Sequence, residues 1–339
     1  MFFLISCNSI PKVKKDQSLR EYLNAIDFSG SVLVSRNNKI IHAAGYGFAN
    51  KEKQISNTAE TQFYMASLTK QFTALAMMQL QEQQLLNIND PIAKYLADFP
   101  NGSEITINHL LTHSAGLYDF TNEWHEIKQL NLSTQDIVDM FKDKSLNFEP
   151  GSKISYSNSG YILAGLIIEK VSGMSYADYI QSQIFKPLNM SRSSYAYSTQ
   201  SDPVQAVGYK QEIAQNSVNM LIPYAAGSLT STVTDFYLWD QSLYNSSLIS
   251  ASSIQKIYST DQNALSVGTG KSKVVMGLGW GIKETIFGLE YGHGGGIDGF
   301  STVISRFPKQ KAMIVILSNQ DGFDVMTLKN RIANLVLSQ

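Results

Sequence analysis

The sequence predicts an α+β fold: an antiparallel sheet built from both chain ends, covered by terminal helices, with a large, mainly helical region inserted between its two parts. Strand-like runs are confined to residues 17–60 and 271–339, while the 61–270 stretch shows helical rather than alternating patterning. We expect residues 1–16 to be an export or anchor segment with a linker, and residues 17–339 to form a single folded unit.

The N-terminal part predicts one helix and one hairpin. Residues 16–27 form a short amphipathic pattern, and residues 31–35 and 39–43 are apolar runs that are typical of strands. The Asn37-Asn38 pair between the two runs favours a tight hairpin connection.

The central region, from residue 66 to about residue 260, predicts mainly helices. Its clearest helices are residues 71–85 and residues 160–171, and Gly173 after the second is a helix stop signal. The Ser133-Thr-Gln-Asp136 stretch has the form of a capping box.

The C-terminal part returns to strand patterns and closes with a helix at residues 324–337. The predicted strands are residues 279–286, 289–292, 300–306 and 312–317.

Composition excludes several classes of function. The chain has 339 residues, 27 basic and 28 acidic side chains, and a net charge of -1, with no basic block. Nucleic acid is therefore not an expected partner. No apolar run approaches the roughly 18 residues needed to span a bilayer.

The only cysteine, Cys7, follows Leu4-Ile-Ser in a pattern similar to a bacterial lipobox, and a polar, basic linker follows it. We expect a lipid-anchored protein of the cell envelope, with Cys7 as the modified residue. Only six residues precede Cys7 and none is basic, whereas a signal peptide needs a longer apolar stretch. A start codon assigned too late would reconcile the two observations; a stray cysteine in an ordinary N-terminus is the alternative.

Ser67 and Lys70 are the most informative pair in the chain. Lys70 follows Ser67 by three positions at the start of a predicted helix, so the hydroxyl and the amine share one helix face. Unpaired N–H groups and the helix dipole favour developing negative charge there. An adjacent amine activates a serine that is otherwise a weak nucleophile.

Two later segments add further polar groups. Tyr156 and Asn158 end a loop directly before the predicted helix at residues 160–171, and His293 opens a glycine run between two predicted strands. S-x-x-K, then Y-S-N, then H-G-G occur in an order that resembles the family of serine β-lactamases and penicillin-binding proteins. The resemblance is closest to the branch with class C β-lactamases, D,D-carboxypeptidases, D-aminopeptidases and related esterases. Other stretches that look like this family are Leu110–Leu117, Phe148–Gly151, Ala226–Ser231, Gly277–Trp280 and Leu317–Asn319.

The resemblance implies a β-lactamase/transpeptidase-like fold and a serine hydrolase that works through an acyl-enzyme. Tyr156 is the expected base and leaving-group acid, with Lys70 as its electrostatic and proton-relay partner. Lys70 as the base is the alternative. Tyr156 would need its pKa of about 10 lowered by about 3 units, and Lys70 would need a similar lowering by desolvation.

The remaining polar groups have roles in binding. Asn158 is expected to bind the substrate amide or Lys70. The oxyanion is expected between the backbone N–H groups of Ser67 and Gly296, with Gly295 beside them.

The third motif bears on the substrate. Many penicillin-recognising relatives have K-T-G where this chain has His293-Gly294-Gly295, so both a cation and a hydroxyl are missing. A neutral histidine is expected at pH 7, with activity rising through its usual pKa of about 6.5. We expect a peptide, amide or ester substrate, with D-amino-acid cell-wall peptides among the candidates. The alternatives are a β-lactamase proper and a non-catalytic binding or assembly protein of the same fold.

Two rival motifs fail on context. Gly294, Gly296 and Gly299 form a G-x-G-x-x-G pattern, but a strand rather than a helix follows it. His109 and His113 have zinc-site spacing, yet Leu110 stands where the zincin motif requires glutamate, so packing and capping roles are expected. No metal and no organic cofactor is expected. The oligomeric state is not predicted.

Overall fold

A computed structural model describes residues 10–14, 17–196, 204–215, 218–259, 265–269 and 273–338. Cys7, the predicted site of lipid attachment, lies outside the described residues. In the described part, no helix is both long and apolar enough to cross a membrane.

The main sheet has eight antiparallel strands and joins the two chain ends, as the sequence predicts. The order across the sheet is β10-β11-β12-β13-β14-β15-β1-β2, so the first strand pairs with the last. The strands of this sheet are β1 Gly30–Arg36, β2 Lys39–Tyr46, β10 Ser266–Val267, β11 Val274–Met276, β12 Gly281–Thr285, β13 Gly288–Ile297, β14 Phe300–Phe307 and β15 Ala312–Ser318.

Most of the described helices lie in the region between β2 and β10. The helices of the chain are α1 Leu19–Asn24, α2 Thr69–Glu82, α3 Ile107–Leu111, α4 Trp124–Ile127, α5 Thr134–Asp139, α6 Asn158–Ser172, α7 Tyr176–Ile180, α8 Tyr224–Gly227, α9 Val233–Asn245, α10 Ala251–Ile257 and α11 Val325–Leu337. Short 3-10 turns lie at Ala66–Leu68, Ile92–Lys94, Phe120–Glu123 and Pro308–Gln310.

This region also contains short strands that the sequence analysis did not predict. They are β3 Phe48–Asn50, β4 Ile55–Ser56, β5 Phe63–Tyr64, β6 Ser194–Tyr195, β7 Tyr209–Lys210, β8 Ile213–Ala214 and β9 Leu229–Ser231. β5, β9 and β6 form a small sheet, and the other four strands form two hairpins. Strands of two or three residues are too short to show an alternating pattern.

Both faces of the central strand β15 are buried, which explains its nearly continuous apolar sequence. Along β15, Met313, Val315 and Leu317 pack into the core shared with the helical region. Ile314 and Ile316 point to the opposite face and pack under α1 and α11. The strand period of two therefore divides one strand between two cores.

Predicted element bounds agree with the structure to within a few residues, with one informative exception. The third motif, His293-Gly294-Gly295, was expected in a connection between two strands, but β13 continues through it to Ile297. The glycine run pairs with β14 throughout, and Gly295 lies opposite Thr302. Glycine has a low intrinsic preference for strands, and here the hydrogen bonds to β14 hold these residues in the extended conformation.

Candidate active site

Ser67 lies in the 3-10 turn Ala66–Leu68 that leads directly into α2. Ala66 has a φ of 48°, an unusual value for a residue with a side chain. The turn is held from both sides, since Met65 N donates to Leu229 O at 2.9 Å and Thr302 Oγ1 donates to Met65 O at 2.9 Å. The strained backbone before the nucleophile is therefore enforced by two neighbouring strands.

Gly295 allows β13 to approach this turn. A Cβ at Gly295 would lie 2.7 Å from Met65 O and 3.1 Å from Ser67 N, which is too close to the carbonyl oxygen. Gly295 is thus packed against Thr302 of β14 and against the backbone of the turn that carries the nucleophile. At Gly296 a Cβ would meet nothing within 4 Å, and this residue borders the open pocket.

Lys70 is buried on the first turn of α2, and its ammonium group has three hydrogen-bond partners. Nζ donates to Ser67 Oγ at 3.2 Å, to Asn158 Oδ1 at 2.8 Å and to Ala226 O at 2.8 Å. Burial lowers the pKa of Lys70 to about 7, although the negative charge of Asp119 acts in the opposite direction. A substantial fraction of Lys70 is therefore neutral at pH 7.

Tyr156 closes the other side of Ser67. Although 43% of the residue is exposed, desolvation around its hydroxyl raises its pKa, and hydrogen bonding with Ser67 offsets only part of that effect. Lys70 Nζ lies 4.9 Å from the centre of the Tyr156 ring, over its face. The pKa shift of Tyr156 is opposite to the one that a tyrosine base needs.

His113 lies beneath Tyr156, with the two ring centres 4.2 Å apart in a stacked arrangement. It is buried, and its Nδ1 lies 3.2 Å from both the backbone N and O of Ser157. His109 caps α3, since its Nδ1 accepts from the backbone N of Thr106. The packing and capping roles predicted for these two histidines are confirmed, and His113 packs directly against the site.

His293, on β13, lies at the rim of the site, with its ring centre 6.2 Å from that of Tyr156. Its Nδ1 lies 2.6 Å from Gly294 O. Since a carbonyl oxygen can only accept, Nδ1 carries the proton and Nε2 presents a lone pair. Burial and the charge of Lys70 lower the pKa of His293 to about 4, so the ring is neutral at pH 7. The neutral imidazole expected from the sequence agrees with this lowered pKa, and we expect any inflection from His293 well below pH 6.5.

A pocket of about 340 Å³ opens beside Ser67. Its apolar walls come from Phe120, Trp124, Pro223 and Ile297, and none of the residues that line it carries a formal charge. The pocket can bind an uncharged, partly apolar group next to the nucleophile.

A salt bridge stabilises one wall of this pocket. Trp124 Nε1 donates to Asp298 Oδ1 at 2.8 Å, and Lys128 Nζ binds the other oxygen of the same carboxylate. The 124–128 segment is thereby fastened to the turn between β13 and β14. Nothing in the sequence predicted this contact, because its members are about 170 residues apart and belong to no motif.

The predicted site residues therefore converge in space. Ser67, Lys70, Tyr156 and Asn158 surround one point, while His293, Gly295 and Gly296 lie along the adjacent stretch of β13. Asp119, whose carboxylate accepts from Asn158 Nδ2, is a functional candidate that was not predicted from the sequence. It lies two residues after the Leu110–Leu117 stretch that resembles the family, and this stretch was the signal that could have pointed to it. Among the described residues, no cluster of three or more metal-ligating side chains occurs.

Comparisons with known proteins show the family to which the chain belongs. The model of the Beta-lactamase family matches residues 19–337. The putative penicillin-binding protein PbpX of Bacillus subtilis is 31% identical over 96% of this chain and 80% of its own length. A penicillin binding protein structure from Bacillus halodurans has a TM-score of 0.78 at 29% identity, covering 90% of this chain and 96% of that one. The D-amino acid amidase of Ochrobactrum anthropi SV3, in complex with L-phenylalanine amide, has a TM-score of 0.78 at 25% identity over 91% of each chain. The fold, the order of the motifs and these matches together show that the chain belongs to the Beta-lactamase family.

Proposed function

We propose that the protein is a serine hydrolase that cleaves carboxylate-free amides or esters through an acyl-enzyme on Ser67. The contact that carries this proposal is the hydrogen bond between Lys70 Nζ and Ser67 Oγ, in a setting where Lys70 is partly neutral at pH 7. A neutral amine at this distance can take the serine proton as the carbonyl is attacked.

In the proposed reaction, Ser67 Oγ forms a bond to the carbonyl carbon while Lys70 takes its proton. The negative oxygen of the intermediate lies between the N–H groups of Ser67 and Gly296. Tyr156, which its raised pKa keeps protonated, donates its proton to the leaving nitrogen or oxygen as that bond breaks. Lys70 returns a proton to Tyr156, and water then releases the acyl group.

This scheme reverses the base and relay roles that the sequence suggested, and the pH dependence tests it. Because Lys70 has a pKa near 7, we expect kcat/KM to rise with pH through about 7 and to level off above it. Two units below that value, a single required deprotonation lowers the rate by about a hundredfold. A base with the raised pKa of Tyr156 would instead give a rise only above pH 10. A profile for one neutral ester, flat from pH 5 to 9, would contradict the proposal.

The substrate class follows from the charges around the pocket. Its lining is uncharged, all three Lys70 hydrogens are bound internally, and Lys128 is paired with Asp298. A substrate carboxylate therefore finds no free cation in the described lining of this pocket. The D-amino acid amidase, whose structure resembles this chain, was solved with L-phenylalanine amide, which supports an amide substrate; the same enzyme was also solved with phenylalanine, so the exclusion of a carboxylate rests on the charges of this pocket alone.

A matched pair of substrates tests this specificity. We expect a D-Ala-D-Ala peptide to be cleaved more slowly than the same peptide with a C-terminal amide. The difference should be at least about tenfold, since an unpaired charged group forgoes at least about 1.5 kcal/mol of hydrogen bonding. A chromogenic cephalosporin, which also carries a carboxylate, should be a poor substrate.

The variant His293→Lys places a cation at the third motif and should reduce the difference in cleavage rate between the free-acid peptide and the amidated peptide. Faster hydrolysis of the free acid by the unmodified protein would refute the proposed substrate class. Rapid cephalosporin turnover, matching that of the best ester, would favour the β-lactamase alternative.

A further inference from the structure

The lone pair of Lys70 can point in only one direction. As an ammonium, Nζ donates to Ser67 Oγ, Asn158 Oδ1 and Ala226 O. As a neutral amine, it keeps two hydrogens and gains one lone pair. Two of its three partners are carbonyl oxygens, which cannot donate, whereas the Ser67 hydroxyl can. The neutral amine therefore binds the two carbonyls and directs its lone pair at Ser67.

The direction of the Lys70 lone pair depends on which end of the Asn158 amide faces Lys70. Asn158 Nδ2 lies 3.2 Å from Asp119 Oδ2 and 3.2 Å from Thr121 Oγ1. The Thr121 hydroxyl itself donates to Asp119 Oδ1 at 2.9 Å, which leaves its lone pairs for Asn158. A carboxylate can only accept, so Asp119 admits only the NH2 end of the amide. Rotation of the amide would bring an oxygen against this carboxylate and an NH2 group against Lys70.

We propose that Asp119 is a positioning residue that locks the orientation of the Asn158 amide and thereby directs the Lys70 lone pair at Ser67. This inference rests on the proposed function, in which Lys70 takes the proton of Ser67. It gives Asp119, which lies two residues after the Leu110–Leu117 stretch, a role in catalysis.

Asp119 also acts on Lys70 through its charge. Its negative charge raises the pKa of Lys70 against the larger effect of burial. The positive charge of Lys70 in turn lowers the pKa of both His113 and His293, because a protonated histidine at either position would repel the Lys70 ammonium. The other titratable groups that face Lys70 are Tyr156, Tyr161, His113 and His293.

The isosteric variant Asp119→Asn tests both effects. Its new NH2 group lets the Asn158 amide rotate, so we expect the plateau of kcat/KM to fall by about tenfold, as for a lost hydrogen bond to a charged group. The rise with pH should also move down by about one unit, the lower end of the effect of a nearby opposite charge. Asp139→Asn, which removes an exposed carboxylate paired with Lys142, should leave the plateau and the rise unchanged.

A double-mutant cycle isolates the orienting effect. In an Asn158→Ala background there is no amide to orient, so Asp119→Asn should no longer lower the plateau, while the shift of the pH profile should persist. Thr121→Val, which removes a hydroxyl but no charge, should leave the midpoint of the profile unmoved. Additive plateau losses in the cycle would overturn the orienting role.

A readout without turnover separates this inference from the proposed function. With ¹³Cε-labelled lysine, the Lys70 signal, assigned by its loss in Lys70→Met, should titrate near pH 7. In Asp119→Asn it should titrate about one unit lower. An unmoved midpoint would overturn the electrostatic effect of Asp119 on Lys70, whether or not the protein hydrolyses anything, while the orienting role is decided by the double-mutant cycle. If the midpoint moves but serine-directed reagents fail to label Ser67, the electrostatic coupling between Asp119 and Lys70 is supported. The proposed hydrolase activity is then refuted.

Discussion

Replacing Ser67 with alanine is expected to abolish hydrolysis while leaving the fold intact. The substitution removes one hydroxyl, whose contacts are with Lys70 and Tyr156 rather than with the core. No other described residue offers a hydroxyl bound to the Lys70 ammonium. We therefore expect turnover of a neutral ester to fall to the uncatalysed rate, with the thermal midpoint of unfolding shifted by no more than a few degrees.

Ser56→Ala is the matched control for this experiment. Ser56 lies in β4, is exposed, and precedes Ser67 by only eleven residues. We expect full activity and full labelling by a fluorophosphonate in this variant, and neither in Ser67→Ala. Retained turnover in Ser67→Ala would exclude the acyl-enzyme mechanism, and an unlabelled, inactive wild type would favour a non-catalytic binding protein.

Replacing Lys70 with arginine is expected to lower kcat/KM by about a thousandfold, within the usual range for a general base. Arginine keeps the positive charge but cannot lose its proton at any pH that the protein tolerates. If Lys70 served only as a cation beside Tyr156, this substitution would preserve most of the activity. The residual rate of Lys70→Arg should also lack the rise through pH 7.

Tyr156→Phe provides the contrast, because it removes the proposed leaving-group acid and keeps the aromatic ring that stacks on His113. We expect a loss of about a hundredfold on amides and alkyl esters, whose leaving groups need a proton. A p-nitrophenyl ester has a leaving group that departs as an anion and should be affected much less. If Tyr156→Phe loses activity equally on both kinds of substrate, Tyr156 is the base. In Lys70→Arg, by contrast, the thousandfold loss of kcat/KM should be the same for all leaving groups.

The central strands could be predicted from the sequence because they are rich in apolar and β-branched residues and are bounded by turn residues. β14 and β15 are buried along their whole length, and the predicted bounds of each differ from the structure by one residue. β13 was predicted too short, since Gly294, Gly295 and Gly296 have no strand preference of their own. Its length is set by pairing with β14, and pairing is not visible in a local pattern.

The candidate site could be located from the sequence, but the roles of its members could not be assigned. Ser67 and Lys70 come together through helix geometry alone, whereas Tyr156 and His293 join them through tertiary contacts. The base assignment depends on burial: Lys70 is fully enclosed and its pKa is lowered, while the environment of Tyr156 raises its pKa. Desolvation is a property of the folded chain, so no spacing of residues could have shown it.

The wall of the pocket shows a second limit of sequence analysis. Trp124 and Asp298 have no helical or strand spacing that connects them, yet their hydrogen bond fixes one side of the substrate pocket. Cys7 shows a third limit, because lipid attachment and location in the cell envelope remain predictions from the lipobox-like pattern alone.

Mass spectrometry can show directly whether an acyl-enzyme forms on Ser67. A neutral p-nitrophenyl ester should be mixed with the protein, quenched in acid within milliseconds to seconds, and digested with trypsin. Cleavage after Lys53 and Lys70 releases one peptide that contains both Ser56 and Ser67. The account predicts that this peptide gains the mass of the acyl group and that fragmentation places the group on Ser67. Two results would contradict an acyl-enzyme on Ser67. One is turnover of the ester with no adduct in either the wild type or Tyr156→Phe, and the other is an adduct on any other residue.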